Sequence, residues 1–253
     1  MDTAPFTGIE VKLEDRVLII RMNRIDKKNA ITTAMYSAMS DALANAHSDA
    51  NVRVVILTGA ANCFTAGNDL KDFLERPPNT HASPASVFVH EIAKAPKPLI
   101  AAVEGIAIGI GTTMLLHCDL VVAGKSARLH LPFVNLGLVP EAGSSFLLPA
   151  LIGQRRAAHL LLLAEPIGAQ TALEYGIVSS VVEDGTAFER AFEQARSIAA
   201  KPPQAVLATK RLLKAATAEL VLEHMAAEGA EFTARLQSSE AKAAFAAFLG
   251  KGN

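Results

Sequence analysis

Two glycine-bearing turns, each set directly after an apolar run, hold the chemistry that the residue types and spacing of this chain allow. The first is Cys63-Phe64-Thr65-Ala66-Gly67-Asn68-Asp69-Leu70, after the run at 52–59. The second spans 105–113, with Gly105, Gly109 and Gly111, after the run at 99–103. Glycine lets a backbone approach a ligand closely and adopt angles closed to other residues. Two such turns can aim two peptide N–H groups at one oxygen. That is the chemistry of an oxyanion hole, in which charge growing on a carbonyl oxygen is held by main-chain dipoles. Other chemistries fail on spacing. Gly109-Ile110-Gly111 begins a dinucleotide fingerprint, but Met114 stands at the third glycine's place, and no P-loop lysine follows either turn. Ser144-Ser145 lacks the G-x-S-x-G elbow of a hydrolase. His117 and Cys118, adjacent on a predicted helix, read as core positions, and no metal site is assigned. His130, in an apolar run, either orients the loop ending at Glu141 or simply packs. His81 and His90 flank a loop and have no evident partner.

These turns need strands to hold them and helices to close over them. Residues 9–23 alternate apolar and polar, then run apolar through Val17-Leu18-Ile19-Ile20, which predicts a hairpin turning near Glu14-Asp15. Thr32 or Thr33 caps a predicted helix with Met35, Met39, Ala42, Leu43 and Ala46 on one face. Residues 54–57, 99–103 and 120–123 read as buried strands. Residues 75–86 read as a mobile loop, and 87–94 as a helix stopped by Pro96 and Pro98. Further helices are expected over 111–117, 144–151 and 155–163. Strand-like runs and helices alternate to about residue 183, the pattern of an α/β fold. Beyond Asp184 the chain reads as helices only, over 187–200, 204–216, 219–237 and 239–249. The expected division is a core over 1–184 and a helical region over 185–253. Large apolar residues on more than one face of the last helices, among them Leu220, Met225, Phe232, Phe245 and Phe248, fit packing on another subunit or on the chain's own core.

The bulk properties narrow the field. The chain has 253 residues, 51% of them hydrophobic, enough for a substantial core. A formal net charge of −1 supplies no field for nucleic acid or an anionic membrane, so a phosphate group would have to be met by local cations. Two cysteines, Cys63 and Cys118, give no disulfide scaffold and suit a reducing compartment. Residues 1–8 lack the basic and apolar regions of a secretory leader, and no apolar stretch nears the roughly 18 residues of a membrane span. The ending Lys251-Gly252-Asn253 is not a peroxisomal address. A cytoplasmic location is expected.

Five segments in order, at 23–30, 64–70, 105–111, 118–123 and 136–143, resemble the crotonase family, or enoyl-CoA hydratase/isomerase superfamily, over about residues 10–250. The resemblance implies a spiral of ββα units, a C-terminal helical trimerisation region, and trimers that often pair into hexamers. It implies acyl-CoA thioester substrates, with coenzyme A arriving as part of the substrate and no separate cofactor. It places the oxyanion hole at the peptide N–H groups of Asn68 and Ile110, Ile110 standing where the family usually has glycine. Lys27, Lys28 and Ala30 match the segment that binds the nucleotide end of coenzyme A, with Arg24 nearby. From spacing alone these cations also fit a solvated charge run. Ala66, Gly67, Asn68, Asp69 and Leu70 match the segment along the pantetheine and adenine. Asp69 equally suits the cap of a helix starting near Leu70.

The family's hydratases use two glutamates, matched here by Thr113 and Phe133, and neither can do acid–base work. Glu141 is the remaining acid. At its loop position it resembles the peroxisomal-type Δ3,Δ2-enoyl-CoA isomerases, whose single carboxylate moves a proton between C2 and C4. On that reading Phe133 and Leu136 line the acyl site, and with Val139 they raise the Glu141 pKa. On the other reading Glu141 caps the helix from Gly143. A hydratase, a ring-modifying acyl-CoA isomerase and a non-catalytic acyl-CoA binder are the alternatives.

Overall fold

A computed structural model describes residues 7–75 and 83–250. The chain opens with the hairpin β1 (Ile9–Glu14) and β2 (Val17–Met22), turning through Asp15 and Arg16, both at positive φ. There follow α1 (Thr33–Ser48), β3 (Val54–Gly59), α2 (Leu70–Glu75), α3 (Pro84–Lys94), β4 (Leu99–Val103), β5 (Ile106–Ile108) and α4 (Ile110–Thr113). Next come β6 (Leu120–Gly124), β7 (Arg128–His130), α5 (Ser144–Ile152), α6 (Gln154–Ala158), β8 (Ile167–Gly168), α7 (Ala169–Glu174) and β9 (Ser180–Val182). The chain closes with α8 (Ala187–Ala199), α9 (Pro203–Ala215), α10 (Ala218–Leu236) and α11 (Ser239–Gly250).

The strands form two sheets. The larger has the order β1-β2-β3-β4-β6-β9 and is parallel apart from the hairpin. The smaller has the order β5-β7-β8. The pairs β4–β5 and β6–β7 each pass from the large sheet to the small one before a helix intervenes, which is the ββα spiral implied by the resemblance. Both faces of the large sheet's central strands β2, β3, β4 and β6 are buried, so these read as continuous apolar runs. Leu18, Ile20, Val55, Leu57 and Ala101 point to the main core with α1 and α3. Their neighbours Val17, Ile19, Val54, Ile56 and Ile100 point the other way, onto α8. That helix offers Ala187, Ala191 and Ala195 at four-residue spacing, all fully buried, so it lies close against the strands.

The differences from the sequence reading have local causes. Helix α3 begins three residues early because Ser83 accepts the Ser86 N–H and Pro84 occupies the first turn. Most of the expected loop at 75–86, with His81, lies outside the described residues, as does the Phe248 side chain. The helix expected over 111–117 is α4 followed by a 3₁₀ turn at Met114–His117, and the one over 155–163 ends in a widened π turn at His159–Leu163. Of the last helices, α8 is core by its packing, and α10 buries Val221, Met225, Glu228 and Phe232 along one stripe. Helix α9 buries only Lys210, and its Leu212 and Leu213 are 72% and 78% exposed. No helix among the described residues is long and apolar enough to cross a membrane.

Candidate active site

The segment at 24–31 is docked onto the first glycine turn by main-chain bonds. Lys28 O accepts the Ala66 N–H, Gly67 O accepts the Ile31 N–H, and Ile31 O accepts the Asp69 N–H. At the centre lies Asn29, fully buried at positive φ. Its Oδ1 accepts the Arg24 N–H at 2.8 Å, and its Nδ2 donates to Cys63 O at 2.7 Å and Ala60 O at 3.1 Å. Every polar atom of this buried side chain is satisfied, which makes it a clasp. Lys27 and Lys28 stand exposed on the docked segment, beside the Ala66 turn. Arg24 is committed elsewhere, to an ion pair with Asp69 at 2.6 Å. Asp69 also accepts the Lys71 and Asp72 N–H groups and so caps α2. Burial works against its charge, but Arg24 and the cap bonds outweigh that and hold its carboxyl below the usual range.

The two glycine turns press on each other as well as facing outward. Thr65 bridges to Ala107, and Ile108 N–H donates to Thr65 O. A Cβ on Gly67, at φ +87°, would stand 2.7 Å from the Ile108 carbonyl oxygen. Next to Ile110 the unusual backbone falls on Gly109, at φ +56°, and Ile110 is the first residue of α4 and is not at positive φ. A β-branched residue is therefore no obstacle at position 110. Among the described residues, the peptide N–H groups of Asn68 and Ile110 have no hydrogen-bond acceptor. The Asn68 side chain is fixed by Tyr36, whose hydroxyl donates to its Oδ1 at 2.5 Å. Burial, and then the Glu141 charge, push the Tyr36 pKa well up, so this phenol stays a donor.

Glu141 sits on a strained loop. Ala142 and Gly143 follow it at φ +62° and +71°, and the left-handed region costs a residue such as alanine about 1–2 kcal/mol. Two buried side chains hold the loop there. His117 Nε2 lies 2.7 Å from Ala142 O, and burial drives the His117 pKa down to about 4, so the neutral ring donates. Glu228, from the buried stripe of α10, accepts the Gly143 and Ser145 N–H groups at 2.6 and 2.7 Å. Glu228 thus supplies the cap of α5, the role that the capping reading gave to Glu141. The Glu141 carboxylate turns instead to Thr113, whose hydroxyl donates to Oε1 at 2.5 Å. Burial raises the Glu141 pKa to about 7, with the Thr113 bond opposing the shift and the Glu228 charge adding to it. A carboxyl poised there can both take and return a proton near neutral pH.

Glu141 and Asn68 open onto one cavity of about 300 Å³. Its apolar wall comes from Tyr36, Phe73, Val89, Met225 and Phe232, and His90 adds a polar edge. Phe133 and Leu136 are not among its lining residues, and neither is Val139. Phe133 is buried in the core, and Leu136 lies in the 3₁₀ turn that α11 covers. His130 bonds Ala164 O, not the Glu141 loop. Burial pushes the Cys118 thiol up to about 12, so it stays protonated. Among the described residues no cluster of three His, Cys, Asp or Glu side chains is placed to hold a metal ion.

With this geometry in view, the comparisons with known proteins agree on family. The model of the enoyl-CoA hydratase/isomerase family matches residues 12–253. The chain is 36% identical to the 1,2-epoxyphenylacetyl-CoA isomerase of Escherichia coli K12, over 75% of each chain. It is 36% identical to the enoyl-CoA delta isomerase 2 of Rattus norvegicus, over 82% of this chain and 54% of that one. Other relatives are named as hydratases. Among solved structures, OdaA of Pseudomonas aeruginosa superposes with a TM-score of 0.94 at 48% identity, over 96% of this chain and 98% of the other. Fold, paired turns and sequence all lead to the same place: this chain belongs to the enoyl-CoA hydratase/isomerase family.

Proposed function

We propose that this protein is an enoyl-CoA isomerase that shifts a 3-enoyl-CoA double bond to the 2-trans position. The observation that carries the reading is that Glu141 is the only carboxylate lining the cavity among the described residues. A neutral hydroxyl, Thr113, stands against it where the family's hydratases carry one of their two acids. The thioester carbonyl binds between the N–H groups of Asn68 and Ile110. Glu141 removes a proton from C2, the double bond moves from C3–C4 to C2–C3, and the same carboxyl returns the proton to C4. Each oxyanion donor contributes about 10²–10³ in rate, and the general base about 10²–10⁴. No cofactor takes part beyond the coenzyme A of the substrate. Lys27, Lys28 and Ala30, with Ala66, Gly67, Asp69 and Leu70, hold the CoA moiety.

The test is NMR of 3-hexenoyl-CoA with the pure protein in D₂O. Deuterium entering the 2-enoyl product without water addition is the expected result. A 3-hydroxyacyl product would make the protein a hydratase, and no reaction would make it a binder. Glu141→Gln should abolish isomerisation and leave CoA affinity intact, and near-full turnover in that variant would end the proposal. We propose in addition that the helices after α8 form the oligomerisation surface of a homotrimer or hexamer. The exposed Leu212 and Leu213 of α9 support this. A cytoplasmic location remains part of the same reading.

A further inference from the structure

The Glu141 cavity is apolar over most of its wall, yet one side carries hydrogen-bonding groups that the proposed reaction leaves unused. They belong to α3. Ala85, Ser86, Val89 and His90 line the cavity, and offsets of one, four and five residues put them on a single face of that helix. His90 Nδ1 lies 2.8 Å from Ser86 O, one turn earlier. A carbonyl oxygen only accepts, so the neutral ring carries its proton on Nδ1 and presents Nε2 as an acceptor. Among the described residues that nitrogen has no partner, and neither does the Ser86 hydroxyl. The other hydroxyls of the wall are engaged: Tyr36 donates to Asn68 Oδ1, Ser83 Oγ accepts the Ser86 N–H, and Thr233 donates to Gly229 O. Nor does any hydrogen bond or ion pair among the described residues join His90 to Glu141, which bonds Thr113.

We propose that His90, with Ser86, sets the specificity of the acyl site, and that the acyl chain it selects carries a hydroxyl group. That hydroxyl donates to His90 Nε2 and accepts from Ser86 Oγ. An acceptor nitrogen and a hydroxyl one helical turn away are complementary to a group that both gives and takes a hydrogen bond. A plain alkyl chain would displace water from both groups and pair neither, the circumstance in which a polar site discriminates most strongly. A carboxylate is the poorer fit, because its oxygens would meet the unprotonated Nε2 lone pair to lone pair. A cavity of about 300 Å³ suits a short chain with one such group. The inference rests on the reading of this cavity as the acyl site of an enoyl-CoA isomerase. It draws on α3 and on none of the helices assigned to the subunit surface.

The test compares kcat/KM on pairs of 3-enoyl-CoA substrates that differ only in a terminal hydroxyl against a methyl group. The pairs are 6-hydroxy-3-hexenoyl-CoA with 3-heptenoyl-CoA, and 8-hydroxy-3-octenoyl-CoA with 3-nonenoyl-CoA. In at least one pair the native chain should prefer the hydroxyl member about tenfold or more, mainly through KM. His90→Leu should bring that ratio to about one or below, whereas a merely structural role would lower both members together. His90→Gln, whose amide oxygen accepts in place of Nε2, should keep the hydroxyl member ahead. Should His90→Leu misfold, Ser86→Ala gives a second comparison and should also lower the ratio. A native ratio near one in both pairs, a ratio unmoved by the folded variants, or a preference for 3-hexenedioyl-CoA over the hydroxyl substrates overturns the proposal. If the native chain isomerises none of the four, the isomerase reading fails separately. Calorimetric affinities for the same pairs then decide this proposal by the same ratios.

Discussion

Replacing Thr113 by valine tests the electrostatics of the Glu141 loop directly. The side chains have nearly the same shape, so the fully buried site loses a hydroxyl and little else. That hydroxyl donates to Glu141 Oε1 at 2.5 Å and favours the ionised carboxylate. A hydrogen bond to a charged group contributes about 1.5–3 kcal/mol, equivalent to about 1–2 pKa units. The Glu141 pKa should therefore rise from about 7 to roughly 8–9. At pH 7 the ionised fraction then falls from about one half to between about a tenth and a hundredth, so kcat/KM should drop roughly 5- to 50-fold. The assay is the pH profile of kcat/KM for 3-hexenoyl-CoA from mildly acid to alkaline conditions. The acid limb should move upward, the rate should recover at high pH, and Thr113→Ser should restore the native profile. An acid limb that stays put, or a loss equal at every pH, would refute the reasoning.

Three further outcomes follow from the same geometry. Glu228→Gln keeps one acceptor for the α5 cap and turns an amide donor toward the other N–H, so stability should fall by about 1–3 kcal/mol in urea unfolding. Loss of the like charge should also move the acid limb of the rate profile below its native position. Asn29→Ala leaves the Arg24 N–H and Cys63 O without their partner, Ala60 O still accepting the Cys63 N–H, and should destabilise by a few kcal/mol, at about 1–3 kcal/mol per orphaned group. Acyl-CoA affinity should fall with it, since Lys27 and Lys28 ride on the clasped segment. The pH dependence of stability follows from two opposed shifts. His117, depressed to about 4, takes its proton in the unfolded chain first, so its contribution is present above about pH 6.5 and is lost toward pH 4. Glu141, raised to about 7, takes its proton in the native state first, so its contribution is present below about pH 4.5 and is lost as pH rises through 7. Between about pH 6.5 and 5 the two nearly cancel in the native protein, whereas Glu141→Gln should lose roughly 2 kcal/mol over that interval. Urea titrations at the two pH values decide it, and a pH-independent stability in the variant would contradict the assignment.

What could be read in advance was local. The buried strands, the final helices and both glycine turns lie in contiguous runs, so composition and spacing reveal them. Three-residue strands such as β5 and β7 carry too few residues for a period and emerge only from pairing. The walls of the cavity were hidden for another reason: Tyr36, Val89 and Met225 come from helices far apart in sequence, and packing alone unites them. Phe133 and Leu136 stand close to Glu141 in the chain but are not among the described residues that line its cavity. Glu228 did leave a trace. It shares the inward stripe of α10 with Val221, Met225 and Phe232, at offsets of seven, three and four residues, and a lone acid among such positions must have a buried partner.

The oxyanion donors proposed at 68 and 110 belong to the main chain, and this shapes how the gene can vary. No codon change there can delete the amide hydrogen except one to proline; every other substitution alters only the scenery around it. Heritable drift in such a centre is consequently channelled toward the neighbouring side chains, and Gly67 and Gly109 become the places where a single added methyl group does the damage.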